Sequence, residues 1–383
     1  MFAKSLLLLC AFAVSAAPGQ FSLWDSSVPL PASAEVRTIQ GVEFHVIKLY
    51  EPDADGFHWL HGVALAWEKD RLICSFGHNA GSENTASERA DFRTSLDAGA
   101  TWGPVRLLAK GEGNEAVSHG VFGHDGKSLW AFLGSFEGFR ENVHTHTFQW
   151  DEDKAAWQDR GIAAGDGFWP MNQPIQTRQG RWVMPGIIVG GQFGSTANPA
   201  AVALCDTGDF AHWRVVPIPK PGNLVMWGES ALLADADDLI CIARNDGSNP
   251  VALASVSHDG GENWSEMAPS NLPMAASKPC AGTLSTGQHY LIGTTTADAG
   301  NRRSPLTIAV SRPGERLFSA VFTIRGAESP GAGESTPNAA LSYPYAVEHE
   351  GKLYVTYSND GGRGSNANSA ELAIIPVEAL AAP

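Results

Sequence analysis

Six short runs in this sequence share a pattern that could do chemistry. They are Leu60-His61-Gly62, Ser118-His119-Gly120, Asn172-Gln173-Pro174, Gly228-Glu229-Ser230, Ser277-Lys278-Pro279 and Ser342-Tyr343-Pro344. Each sets one polar or titratable side chain ahead of Gly, Ser or Pro and then an apolar run. Imidazole, carboxyl and phenol cover the acid, base and nucleophile roles of hydrolysis or elimination. His61, His119, Glu229 and Tyr343 are therefore the candidate catalytic residues, with Gln173 and Lys278 as binding groups. Four loops add polar side chains. Gly77 to Asn84 carries Asn79 and Glu83, and Arg244-Asn245-Asp246 follows Glu229 by 15 residues. Asn301-Arg302-Arg303 and the stretch from Asn359 to Asn366, with Arg363, complete the set. Asn suits sugar hydroxyls, and the Arg fork matches a carboxylate. Trp59, Trp169 and Trp227 lie beside three of the runs and could stack on a sugar ring. The expected partner is an oligosaccharide or polysaccharide.

Segments this far apart meet only if a repeated unit arranges them around one axis. The repeat is visible in Ser95-Leu96-Asp97-Ala98-Gly99-Ala100-Thr101-Trp102 and Ser257-His258-Asp259-Gly260-Gly261-Glu262-Asn263-Trp264. Both read S-x-D-x-G-x-(T/N)-W after a strand-like run. The Asp can accept bonds from nearby backbone N–H groups, Gly supplies a positive φ, and Trp plugs the sheet. This is a structural turn without catalytic duty. Degenerate copies end at Trp157, Trp213 and Phe318, so the landmarks recur roughly every 50–56 residues, the length of a four-stranded propeller blade.

The expected fold is an all-β propeller of four-stranded blades, as one domain over residues 17–383. The count favours six blades, with seven as the alternative because the N-terminal region is hard to assign. The last blade lacks an outer strand, which Val42 to Leu49 can supply. The ring would then close with a strand from each end of the chain and leave no open edge. In this arrangement the six inner strands start on one face and the Asp turns lie on the other.

Composition narrows the function classes. Charged residues are 17% and apolar residues 43%, enough for a sizeable core. A formal charge of -15 excludes a nucleic-acid partner in bulk terms, since phosphates demand a basic face. Lys4, the apolar run Leu6 to Val14 and Val14-Ser15-Ala16 read as a signal peptide over residues 1–16. The chain is expected to be secreted or periplasmic, with no membrane span. Cys74, Cys205, Cys241 and Cys280 fit no zinc motif and lie in apolar runs. They read as buried thiols, with a Cys205–Cys241 bridge as the alternative. His144 and His146 alternate on a strand and read as ordinary strand surface. No metal site and no cofactor is expected from spacing, although calcium held by loop carbonyls would leave no such signature.

The paired turns resemble the Asp-box repeats of sialidase-like propellers. That resemblance implies that Glu229 partners a catalytic Tyr, matched by Tyr343. It further implies that Arg244, with Arg302 or Arg303, belongs to an arginine triad gripping a substrate carboxylate. The first blade departs from the pattern, because His61 stands where sialidases carry an Arg. Trp59-Leu60-His61-Gly62-Val63-Ala64-Leu65-Ala66-Trp67, with Ser75-Phe76-Gly77-His78-Asn79 and Glu83-Asn84-Thr85, resembles the propeller α-L-rhamnosidases and related lyases of rhamnose–uronate polymers. This second resemblance implies seven blades and a uronate-containing substrate. It also implies an exo-acting, His-dependent glycoside hydrolase that releases rhamnose linked to glucuronic acid. A β-eliminating lyase, an exo-α-sialidase and a non-catalytic glycan-binding propeller are the alternatives.

Overall fold

The structure is a computed structural model that describes residues 20–382. The expected signal peptide lies outside the described residues. Six sheets surround a central channel, and each runs from an inner strand outward in chain order except where N-terminal strands are added at the outer edges of blades 5 and 6. Blade 1 spans Trp59–Glu68, Arg71–Asn79, Arg89–Ser95 and Arg106–Lys110, and blade 2 spans Glu115–His124, Leu129–Glu137, Glu141–Asp151 and Ala156–Ala164. In blade 3 the inner strand is broken into Phe168–Pro170 and Ile175–Gln176, both paired with Trp182–Ile188. Blade 4 begins with Met226–Asp235, blade 5 with Cys280–Thr283 and blade 6 with Leu341–His349. The count is six, not the seven implied by the rhamnosidase pattern.

Ring closure follows the expected route. Glu43–Lys48 pairs antiparallel with Ser369–Pro376 as the outer strand of blade 6. The preceding segment does not build a seventh blade. It straps the rim instead: Phe21 and Trp24 bridge to Ser270 and Phe318, and Arg37–Thr38 adds a short parallel strand outside Phe318–Arg325. An added strand on the rim covers backbone groups that would otherwise form open edges.

Both Asp turns have the geometry that their residues dictate. Asp97 accepts from the Ser95 hydroxyl (2.8 Å), the Thr101 N–H (2.8 Å) and the Thr101 hydroxyl (2.6 Å). Asp259 repeats this with Ser257 and Asn263 at 2.8–2.9 Å. Trp264 is buried and donates to the Gly261 carbonyl at 2.9 Å. Trp213 is held by Phe210 in the same way, and Phe318 is fully buried. Trp157 sits in an outer strand, where it packs edge-on against Phe92 and Trp150 between blades 1 and 2. The four described cysteines are buried free thiols, so no Cys205–Cys241 bridge forms. Among the described residues, no helix is long and apolar enough to cross a membrane.

Candidate active site

Irregularities in the inner strands aim side chains into the channel. Register is interrupted between His61 and Ala64, Val117 and Gly120, Met226 and Ser230, and Ser342 and Tyr345. A bulge turns an extra residue out of the pleat and bends the strand. In three blades the interruption holds a residue singled out by its chemistry, His119, Glu229 or Tyr343, and in blade 1 His61 is the last paired residue before it. Gly62 has φ of +65°, and a Cβ there would lie 2.1 Å from the His119 ring, so glycine is what lets the two imidazoles approach. Tyr343 holds φ of +55°, a region that costs a bulky residue on the order of 1–2 kcal/mol and marks a functional constraint.

Tyr343 and Glu229 form the centre. The Tyr343 hydroxyl donates to Glu229 Oε1, which also accepts from Trp227 Nε1 at 3.1 Å. Arg244 Nη1 donates to Glu229 Oε2 at 3.0 Å, and its Nε donates to Asp246 at 2.7 Å. Lys278 donates to the Pro344 carbonyl at 2.8 Å and lies 5.9 Å from the Tyr343 ring centre. The Arg303 guanidinium lies 6.0 Å from the same ring. Tyr343, Glu229, Trp227, Arg244 and Lys278 are buried, and Asp246 and Arg303 are partly so. Burial, and then the neighbouring Glu229, hold the Tyr343 phenol well above its usual range, while Arg244 and Arg303 pull the other way. Burial works against the Arg244 charge, but Glu229, Tyr343 and Asp246 outweigh it and raise its pKa. Burial lowers Lys278 to about 8.

The two histidines are neutral. Burial, then electrostatic coupling to His119 and to the cations Arg303, Lys278 and Arg244, holds His61 well below its usual value. Burial and Lys278 lower His119 to about 3. The His61 ring packs 3.8 Å from the Tyr343 ring, centre to centre, and 5.9 Å from His119. Its tautomer follows from its partners. Asn368 Nδ2 donates to the Leu60 carbonyl at 2.6 Å, which fixes it as the amide nitrogen, and it also lies 3.2 Å from His61 Nδ1. With the amide nitrogen of Asn368 as donor, Nδ1 accepts there, and the Ser358 hydroxyl, also 3.2 Å from Nδ1, can donate to it, which puts the proton of neutral His61 on Nε2. His119 Nδ1 lies 3.1 Å from the Ser118 hydroxyl, and its Nε2 is buried without a hydrogen-bond partner.

A pocket opens beside this centre, lined by Glu83, His119, Arg140, Trp169, Phe193, Trp227, Glu229 and Tyr343. Glu83 is half-buried, accepts from Asn366 at 3.1 Å, and is raised in pKa chiefly by burial. Behind it, burial raises Glu88 to about 8; Glu88 accepts from the Ser118 hydroxyl. Arg140 is new relative to the sequence reading. Its guanidinium lies 4.8 Å from the Phe193 ring and 5.0 Å from the Trp227 ring, and its buried Nε has no partner. The signal was available in the second blade, where Arg140 occupies the loop joining the second strand to the third.

Other expected site residues go elsewhere. Gln173 bonds to the Ala346 carbonyl at 3.1 Å and lines the channel deeper down, with Tyr290 and Glu348, because the broken strand of blade 3 displaces it. Asn79, Asn245 and Asn359 end the second strands of blades 1, 4 and 6 and are turned into their own loops. Each accepts the N–H of the glycine two residues on, at 2.8, 2.8 and 3.0 Å. Their amides donate to the Ser82, Asn249 and Glu334 carbonyls, so these side chains shape their own loops. Arg302 is exposed and reaches the Asp298 carbonyl at 3.4 Å. Arg363 is paired with Glu334 through both terminal nitrogens and lies over Tyr50. Of the expected set, the structure brings together His61, His119, Glu229, Tyr343, Arg244, Lys278, Arg303 and Glu83.

The model of the BNR repeat-like domain family matches residues 93–355. The chain belongs to that family. No curated protein matches it in sequence. Several solved structures share the fold of this BNR repeat-like chain. A protein of unknown function from Dyadobacter fermentans superposes with a TM-score of 0.66 at 14% identity, covering 88% of this chain and 99% of that one. The Hadza microbial sialidase Hz136 gives 0.67 at 12% identity, with 88% and 69% covered. Trypanosoma rangeli sialidase gives 0.61 at 13% identity, with 90% and 59% covered, so this chain spans about three fifths of that protein. At these identities the likeness is one of fold.

Proposed function

We propose that this BNR repeat-like protein is a glycoside hydrolase acting on a glycan that carries a carboxylated sugar, with Tyr343 as nucleophile and Glu229 as its base. The observation that carries the reading is the buried Tyr343–Glu229 hydrogen bond, with Arg244 on the far oxygen of Glu229. Tyr343 Oη attacks the anomeric carbon as its proton passes to Glu229. A phenol suits such a sugar because a carboxylate nucleophile would be repelled by the sugar's own negative charge. Glu83, whose raised pKa favours the acid form, is placed in the same pocket to protonate the departing glycosidic oxygen. Arg140, Arg303 and Lys278 supply the positive charge for the carboxylate, which the overall charge of -15 does not. The solved sialidases of like fold support this reading, and a sialic acid is one sugar that meets the requirement. Export follows from the N-terminal signal-like segment.

The narrower reading is release of rhamnose from glucuronate with His61 as the base. It rests on the first-blade run and on the position of His61 against Tyr343. The His61 tautomer counts against it, because a protonated Nε2 donates a hydrogen bond and cannot accept a proton. The test is incubation with a fluorogenic sialoside, a rhamnosyl-glucuronate and a uronate polysaccharide. Released sugar is read by mass spectrometry, and unsaturated uronate by ultraviolet absorbance. Hydrolytic release from a carboxylated glycan, lost in Tyr343→Phe and kept in His61→Asn, is the expected result. An ultraviolet-absorbing product would mean elimination and overturn the proposal, as would turnover by Tyr343→Phe.

A further inference from the structure

Blade 2 carries a second grouping of chemically capable side chains, unused by the proposed reaction. His144 and His146 alternate on the third strand of that blade and so share one face, as strand geometry requires. Cross-strand register puts Ser135 opposite His144, and Glu115 opposite Glu137 two residues further along the same strand. Directly paired residues project to the same face, so Glu115 meets the two histidines across the second strand. One ligand atom from each of Glu115, His144 and His146 lies within 4.8 Å of the others.

Hydrogen bonding decides which nitrogens are free. His144 Nδ1 lies 2.8 Å from the Asn142 carbonyl, which can only accept, so Nδ1 carries the proton and Nε2 presents a lone pair. His146 Nε2 lies 2.8 Å from the Asp159 carboxylate, leaving the lone pair on Nδ1. That Nδ1 is buried and without a hydrogen-bond partner. His144 Nε2 faces Glu115 Oε1 at 3.4 Å, lone pair toward lone pair. Metal bonds of about 2.0–2.1 Å at tetrahedral angles put ligand atoms about 3.3–3.4 Å apart, which is this separation. The Ser135 hydroxyl on the same face is also buried and unpartnered.

The structure assigns this grouping as a binding site for a divalent transition ion of the zinc type, held by His144 Nε2, His146 Nδ1 and a Glu115 oxygen. Two imidazoles and one carboxylate form a three-ligand set that leaves a fourth position for water. Asn142 and Asp159 take the outer-shell role, orienting each ring through its other nitrogen. The side chains of His144 and His146 are 14% and 18% exposed, so an ion can reach them. Spacing in the sequence did not disclose the site because its ligands come from two strands separated by a third.

The test uses the whole chain, stripped with chelator and titrated with Zn²⁺ alone, with Ca²⁺ as control. Uptake of about one equivalent of Zn²⁺ but no Ca²⁺, with a rise in Tm, is expected from such a donor set. Cobalt(II) in place of zinc should give the intense visible absorption of a tetrahedral site. The double variant His144→Ala/His146→Ala should lose the uptake. Asp159→Asn, which removes no ligand, should weaken it about 10-fold or more. No zinc uptake, or uptake undiminished in the folded double variant, overturns the assignment.

Discussion

The two faces of the propeller spend their polar side chains differently. On the Asp-turn face the bonds are local. Asp97 is satisfied by Ser95 and Thr101, and Asp259 by Ser257 and Asn263, all within four residues. Bonds from Thr101 and then Ser95 lower the Asp97 carboxyl to about 2, and at Asp259 burial works the other way but the bonds from Asn263 and Ser257 lower it as well. This face also has a concavity, but its charges are paired off at the surface, as Arg181 is with Asp206 at 2.5 Å and with Glu262 at 2.9 Å. On the channel face the bonds cross between blades. Tyr343 of blade 6 reaches Glu229 of blade 4, Lys278 reaches Pro344, and Asn368 reaches His61. Burial there pushes groups toward their neutral forms, as in Tyr343, His61, His119 and Lys278. The Asp-turn face bonds within its own turns, whereas the channel face gathers shifted titratable groups from several blades, which marks it as the candidate site.

Substitutions on the two faces should therefore separate activity from stability. On the channel face, Glu229→Gln should cut kcat by roughly 10²–10⁴ with little change in Tm, measured by initial rates and thermal unfolding. Arg244→Lys keeps the charge but loses the fork that spans Glu229 and Asp246. Its rate should fall roughly 10-fold or more, because Glu229 is then less well oriented as the base. Asp97→Ala or Asp259→Ala should do the reverse. Each should lower the midpoint of unfolding in denaturant titration, with kcat unchanged.

Acid should act through the histidines. Burial and Lys278 lower the folded His119 to about 3, against an ordinary value of 6.5, so the unfolded chain takes up its proton first. Stability from this group is complete above about 6.5 and is lost as pH falls toward about 3. Replacing His119 with Asn should flatten that limb of a stability–pH profile. The smallest effect should come at alkaline pH. Lys278 loses its charge as pH rises through about 8, so KM for an anionic sugar should climb a few-fold there. A neutral substrate analogue should show no such rise.

Much of the Asp-turn face was legible in the sequence because its interactions are local. The Asp turns carry their whole mechanism inside eight residues, and they set the period that located the inner strands. That alignment also found His61, His119, Glu229, Lys278 and Tyr343, since each inner strand starts on the same face. What the alignment missed depends on contacts between distant segments. The His61 tautomer depends on Asn368, on another blade, and Gln173 is displaced by a break in its own strand. Asn79, Asn245 and Asn359 have the residue type of sugar ligands, yet each belongs to an Asn-x-Gly turn whose bonding is local. Residues before Glu43 left a seventh blade open because a rim strap and a blade strand share the same apolar, extended character.

The central claim is that Tyr343, relayed to Glu229, makes the covalent attack. Its most direct test is intact-protein and peptide mass spectrometry after incubation with a fluorinated, activated glycoside of a carboxylated sugar. The account predicts a glycosyl adduct on the peptide containing Tyr343, absent from Tyr343→Phe. Hydrolysis of that sugar's ordinary glycosides at an undiminished rate by Tyr343→Phe, with no adduct on the native protein, would contradict it.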